Sequence, residues 1–200
     1  MTSDIHHDHG GKPLNRSETV KRQLERDAAR LFMRGYEQSH GTPMRNIWHN
    51  DPAKPDISCH LDGKPLDLEI AHLYASVSEA KRLTSEIIRQ VDQPLASTST
   101  KSNSKANPDK QERELAQYLS ELLSIDPQQR LLTALGHILQ RKAEKHYQST
   151  RVWLVIRNAS PLWQQQDFLR VKQQLRLSNH PFEHIWLLPD FDGSQALQLF

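Results

Sequence analysis

PDISCHLDGKPLDLEIAH, residues 55–72, consists of two alternating runs joined by Asp62-Gly63, the preferred dipeptide of a two-residue hairpin turn. If that pair forms the turn, Leu61 stands opposite Lys64, Ser58 opposite Asp67 and Asp56 opposite Glu69. Side chains alternate along a strand, so Ile57, Cys59, Leu61, Leu66, Leu68 and Ile70 share one face and pack inward. Asp56, Ser58, His60, Asp67 and Glu69 share the other face. Opposed β-carbons in such a pair lie about 4.5–5.5 Å apart, and like charges placed there repel. A divalent cation, basic side chains or full solvation has to offset that repulsion. Two readings follow: a metal-binding carboxylate cluster, or a wet outer face whose acids only keep the hairpin soluble.

Upstream, Val20, Leu24, Ala28 and Leu31 recur at helical spacing and predict a helix over 17–36, with Asn15 and Glu18 as its capping pair. A short strand is expected at Arg45–Trp48, then strands at Ile57–Leu61 and Pro65–Ala71. Downstream, helices are expected near 76–91, 110–123, 127–147 and 161–177, the last with Pro161 in its first turn. RVWLVIR (151–157) and HIWLL (184–188) have the near-continuous apolar character of strands covered on both faces. This order gives an α/β fold, a central mixed sheet flanked by helices.

Residues 1–14 are expected to form a flexible His-rich tail, and 15–200 a single domain with a mobile polar loop at about 93–109 (QPLASTSTKSNSKANPD). Hydrophobic residues are 36% of the 200, and no apolar run approaches a membrane span. The first residues lack the apolar stretch of a signal peptide, and Cys59 is the sole cysteine, which excludes an internal disulfide and a cysteine-based zinc cluster. A cytoplasmic location is expected. The net charge of +2 permits, without requiring, transient contact with nucleic acid.

At Pro55-Asp56 and Asp67-Leu68-Glu69-Ile70-Ala71 the chain resembles the PD-(D/E)XK phosphodiesterases, the restriction-endonuclease-like fold. Members carry a first acid near a Pro-Asp and, on the hairpin partner, a second acid followed two places on by lysine. Here either Glu69 is the second acid and Ala71 stands at the lysine position, or Asp67 is and Glu69 stands there. Both registers keep Asp56 and Glu69. Some members carry the lysine on a neighbouring helix. HILQRKAEKHY (137–147) offers Lys142 and Lys145 on the stripe of Leu131, Leu135 and Ile138, where both lysines could equally reach for water. Members often place a glutamate on the first helix, and Glu25 is the match, although a solvated glutamate is the simpler account of it.

The resemblance implies a metal-dependent nuclease. Mg2+ or Mn2+ would be held by Asp56 and Glu69, helped by Asp67 or a backbone carbonyl, with Lys142 and Glu25 completing the catalytic set and nucleic acid, DNA ahead of RNA, as partner. Its alternative is a catalytically inactive binding or interaction module of the same fold, favoured by Ala71. Arg22, Arg26, Arg30 and Arg34 recur every four residues, either as a phosphate-tracking row or as an ordinary solvated face. His72 follows the acidic strand and either lines the site or packs. Trp153 and Trp186 are expected in the core. Trp48 packs or stacks on a base, and Asp190 and Asp192 are expected in a loop.

Overall fold

The computed structural model describes residues 15–50, 54–91, 113, 116, 119–120, 124–190 and 195–200. The His-rich tail, the polar loop at 93–109 and Asp192 lie outside them, and only isolated positions of the helix expected over 110–123 are described.

A six-stranded mixed sheet has its strands in sequence order. β1 (Met44–His49), β2 (Ile57–Leu61) and β3 (Lys64–Leu73) form an antiparallel meander. β4 (Val152–Asn158) and β5 (His184–Leu188) add in parallel to β3, and β6 (Leu197–Gln198) closes the far edge antiparallel to β5. The helices are α1 (Arg16–His40), α2 (Val77–Val91), α3 (Pro127–Ala143) and α4 (Gln165–Lys172).

The hairpin has the register that its turn dipeptide predicts: Leu61 pairs with Lys64, Cys59 with Leu66, Ser58 with Asp67. Asp62 and Gly63 both take positive φ, 49° and 74°, as a primed turn requires. α1 covers the face carrying Ile57, Cys59, Leu68, Ile70, Trp153 and Trp186, burying Ala28, Phe32 and Met33 there. α3 and α4 cover the opposite face, where Leu131, Leu135, Leu139 and Phe168 meet Leu73, Leu154, Ile156 and Leu187. β4 and β5 are therefore apolar on both sides, which is why RVWLVI and HIWLL read as unbroken runs.

Several boundaries differ from the sequence expectation. α1 continues past Tyr36 to His40, because Gly35 sits inside the helix and Gly41 (φ 64°) supplies the left-handed C-cap, its N–H donating to Glu37 O at 2.9 Å. Its buried stripe is Val20, Glu25, Ala28, Ala29, Phe32, Met33 and Gly35, so Leu24 and Leu31 lie at the margin and a glutamate lies within. The Asn15–Glu18 capping box is present.

α3 stops at Ala143, not Tyr147, because the chain turns back and Tyr147 OH donates to Lys142 O at 3.2 Å. α4 begins at Gln165, not Pro161. Ser160 is tied to Glu79 and Asn158, so the chain leaves β4 through a turn before a Gln164–Asp167 cap starts the helix. β6, two residues long, carries no periodic signal and was not expected. No helix among the described residues is long and apolar enough to cross a membrane.

Placing a β-branched side chain at Gly63 forces it into a conformation that glycine alone adopts cheaply. Gly63→Val is expected to destabilise the protein by about 1–3 kcal/mol in urea unfolding; an unchanged midpoint would contradict the primed turn.

Candidate active site

The site begins where the hairpin separates. β2 and β3 pair only as far as Ile57 and Leu68, whereas β3 runs on to Leu73 with β4 as its remaining neighbour. Backbone groups along a strand alternate in direction. Asp67 N–H points to the β4 side, donating to Arg151 O at 3.1 Å, so Ile70 N–H and C=O point to the side that β2 has left. Unpaired buried backbone groups are costly. Here two side chains replace the missing strand: Asp56 Oδ2 accepts from Ile70 N–H at 2.9 Å, and Lys142 Nζ donates to Ile70 O at 2.7 Å.

Asn50, just past β1, holds the Asp56 segment in place. Its N–H donates to Asp56 O at 3.2 Å and its Nδ2 to Pro55 O at 2.8 Å. The Ser58 hydroxyl lies between Asn50 Oδ1, at 2.8 Å, and Asp67 Oδ1.

Glu69 points to the α3 side and is only 2% exposed. Its Oε1 accepts from Lys142 Nζ at 2.5 Å and from Lys145 Nζ at 2.9 Å. Lys142 Nζ is also 4.0 Å from Asp56 Oδ2, so one ammonium meets both carboxylates and the Ile70 carbonyl. Burial alone would push the Glu69 carboxyl up, but the charges and hydrogen bonds of Lys142 and Lys145 outweigh it and hold the group below its ordinary range. Asp56 goes the other way: burial, then the charge of Glu69, raises it against the pull of Lys142. Tyr147 is raised by burial and by the Glu69 charge beside it.

A cavity of about 540 Å3 opens against this edge between α1, α2 and α3. From α1 come Lys21 and Glu25, whose side chains pair at 3.4 Å. Glu25 is 7% exposed, and burial followed by the Asp56 charge raises its carboxyl. From the hairpin come Asp56, Ile70 and His72, from α3 His137, Arg141 and Lys142, and from just past its end Lys145. Glu69 does not line the cavity; the two ammonium groups stand on its carboxylate.

The structure thus brings Asp56, Glu69, Lys142 and Glu25 to one edge of the sheet. Glu25 is buried rather than solvated, because the stripe of α1 is turned toward it. Lys145 is half-exposed, yet its ammonium ends on Glu69 instead of in water. Asp67 is not brought in. It shares the face but sits at the Ser58 pair, one pleat back, engaged with the Ser58 hydroxyl and outside the cavity lining.

His72 lines the cavity and Trp153 and Trp186 are core. Trp48 is 44% exposed, its ring tilted against that of His60 with centroids 5.4 Å apart. Of the arginine row, Arg30 and Arg34 are exposed and Arg22 and Arg26 half-buried. Asn50, Lys21 and Tyr147 were missed. An isolated Asn after a strand carries no signal, and the others depend on how α1 is turned and where α3 ends.

Among the described residues no three His, Cys, Asp or Glu side chains gather as a metal cage. Two carboxylates and one backbone carbonyl do converge, and a cation, the Lys142 ammonium, already stands among them. All-oxygen donors with room for water suit a hard ion such as Mg2+ rather than zinc. Compared with known proteins, the chain matches no family model, no curated protein and no solved structure.

The cavity wall carries its own pH signature. Burial, then the charges of Arg157 and Lys142, holds the His72 imidazole down to a pKa of about 4 from 6.5. Between those values the unfolded chain takes up a proton that the folded chain refuses, so stability falls as pH drops through that window. In His72→Phe this loss disappears. The stability of wild type relative to the variant is expected to decline between about pH 7 and about pH 4.5 in urea titrations, and parallel profiles would contradict the burial of neutral His72.

Proposed function

We propose that the protein is a metal-dependent phosphodiesterase acting on nucleic acid, DNA ahead of RNA, with the restriction-endonuclease-like organisation of the PD-(D/E)XK enzymes. The observation that carries this reading is the meeting of Asp56, Glu69 and Lys142 at the separating end of a β-hairpin, beside an open cavity where Lys21, Arg141, Lys142 and Lys145 outnumber the acids Glu25 and Asp56. Asp56, Glu69 and the Ile70 carbonyl would hold Mg2+ or Mn2+, which when bound supplies Lewis acidity and a water of lowered pKa.

The chain's own groups have separate tasks. Asn50 fixes the backbone from which Asp56 projects. Lys142 offers a positive charge for the developing charge of the scissile phosphate. Lys21 and Arg141 line opposite walls and would meet flanking phosphates. Glu25, buried beside Asp56 with a raised pKa, is suited to exchange a proton at the cavity wall.

The alternative, a catalytically inactive binding module of the same fold, drew its support from Ala71 at the position two after Glu69. Lys142 supplies an ammonium at Glu69 from α3 instead, which favours the enzyme.

Magnesium-dependent cleavage of plasmid DNA or an oligonucleotide is expected, falling at least about a hundredfold in Glu69→Ala. Circular dichroism of the variant checks that the fold survives loss of the lysine pairs. Undiminished cleavage by a folded Glu69→Ala protein would reject the assignment.

A further inference from the structure

Lys142 approaches from α3 with its stem against the cavity wall and its ammonium pressed into the hairpin edge. Three oxygens surround it: Glu69 Oε1 at 2.5 Å, Ile70 O at 2.7 Å and Asp56 Oδ2 at 4.0 Å. They come from two carboxylates and a backbone carbonyl, the donor set a hard cation takes. The side chain is 19% exposed, and Glu69 beneath it is cut off from the cavity. Lys145 differs: it touches the same Glu69 oxygen at 2.9 Å, but it is 54% exposed and no contact ties it to Ile70 O or Asp56.

We propose that the Lys142 ammonium is a built-in placeholder for the divalent ion. The ion enters by displacing it, and the displaced side chain swings into the cavity, where the phosphate would lie. The inference rests on the metal-site reading above and adds to it a competition between the protein's own cation and the bound one. Because the ammonium and the ion need the same oxygens, they exclude each other. Metal affinity is set partly by the contacts that Lys142 gives up, and metal binding itself releases the charge that acts on the substrate. Lys142 cannot serve phosphate while it remains on Glu69, so the site arms only when the ion is bound.

The test is Mn2+ binding by the full chain, followed by the electron paramagnetic resonance signal of the free ion. It compares wild type with Lys142→Met, Lys145→Met and Glu69→Gln. Lys142→Met is expected to bind Mn2+ about ten- to a hundredfold more tightly than wild type, the equivalent of charge-assisted hydrogen bonds no longer broken on entry. Lys145→Met, which removes the same charge from the same carboxylate, is expected to gain a few-fold at most, and Glu69→Gln to bind more weakly than wild type.

If Lys145→Met gains as much as Lys142→Met, the effect is one of field alone and the placeholder is overturned. Glu69-dependent binding in wild type with no gain in Lys142→Met overturns the placeholder and leaves the metal site standing. Binding in none of the chains, or binding indifferent to Glu69, overturns both. A second measurement uses wild type alone. The Lys142 ammonium, protected by its hydrogen bonds, should give a resolved 15N signal that disappears on addition of Mg2+; a signal unmoved at saturating Mg2+ contradicts displacement.

Discussion

Everything at the site follows from the separation of two strands. β2 leaves β3 after the Ile57–Leu68 pair, and the next backbone groups on that side, those of Ile70, face a gap. A buried amide and carbonyl without partners are expensive, and what fills the gap is chemical rather than structural: a carboxylate on the N–H and an ammonium on the C=O. The edge that would have been a ladder thereby becomes a place where charged side chains must converge. Asn50 makes the arrangement firm by bonding to the backbone on both sides of the Pro55-Asp56 peptide.

The electrostatics are consistent with this geometry. Three acids, Glu25 on α1, Asp56 just before β2 and Glu69 on β3, gather here, and three lysines, 21, 142 and 145, meet them. The matching is uneven. Glu69 receives two ammonium groups and is held ionised, whereas Asp56 and Glu25, each close to another acid and poorly solvated, are raised. Buried carboxylates shifted in opposite directions by their surroundings are a feature that clusters at functional sites. It is an unusual way to stabilise a fold, because desolvation offsets much of what a buried ion pair returns.

Much of this was readable in the sequence. Asp62-Gly63 specified the turn, the turn specified the register, and the register put Asp56 and Glu69 at the same end of the same face. The unbroken apolar runs marked β4 and β5 because helices cover both sides of them. Lys142 was visible as a charge extending an apolar stripe. The remainder was hidden for physical reasons. Direct opposition of Asp56 and Glu69 assumes that pairing continues, and only packing decides where strands part. Asp67 has the right parity but the wrong position along the strand, a distinction that alternation does not make. Glu25 looked solvated because its burial depends on a small rotation of α1 set by Ala28 and Phe32, not by Leu24 and Leu31. The short α4 reflects a long-range tie between Ser160 and Glu79, residues far apart in the chain.

The central claim, that the separated hairpin presents one shared cation position, is tested most directly by a crystal of the protein soaked in Mn2+ and measured at the manganese absorption edge. The account predicts a single anomalous peak within coordination distance of Asp56, Glu69 and the Ile70 carbonyl, with Asn50 still bonded to the Asp56 backbone. Asp56 and Glu69 side chains directed away from each other, or manganese bound elsewhere and none at this edge, would contradict it.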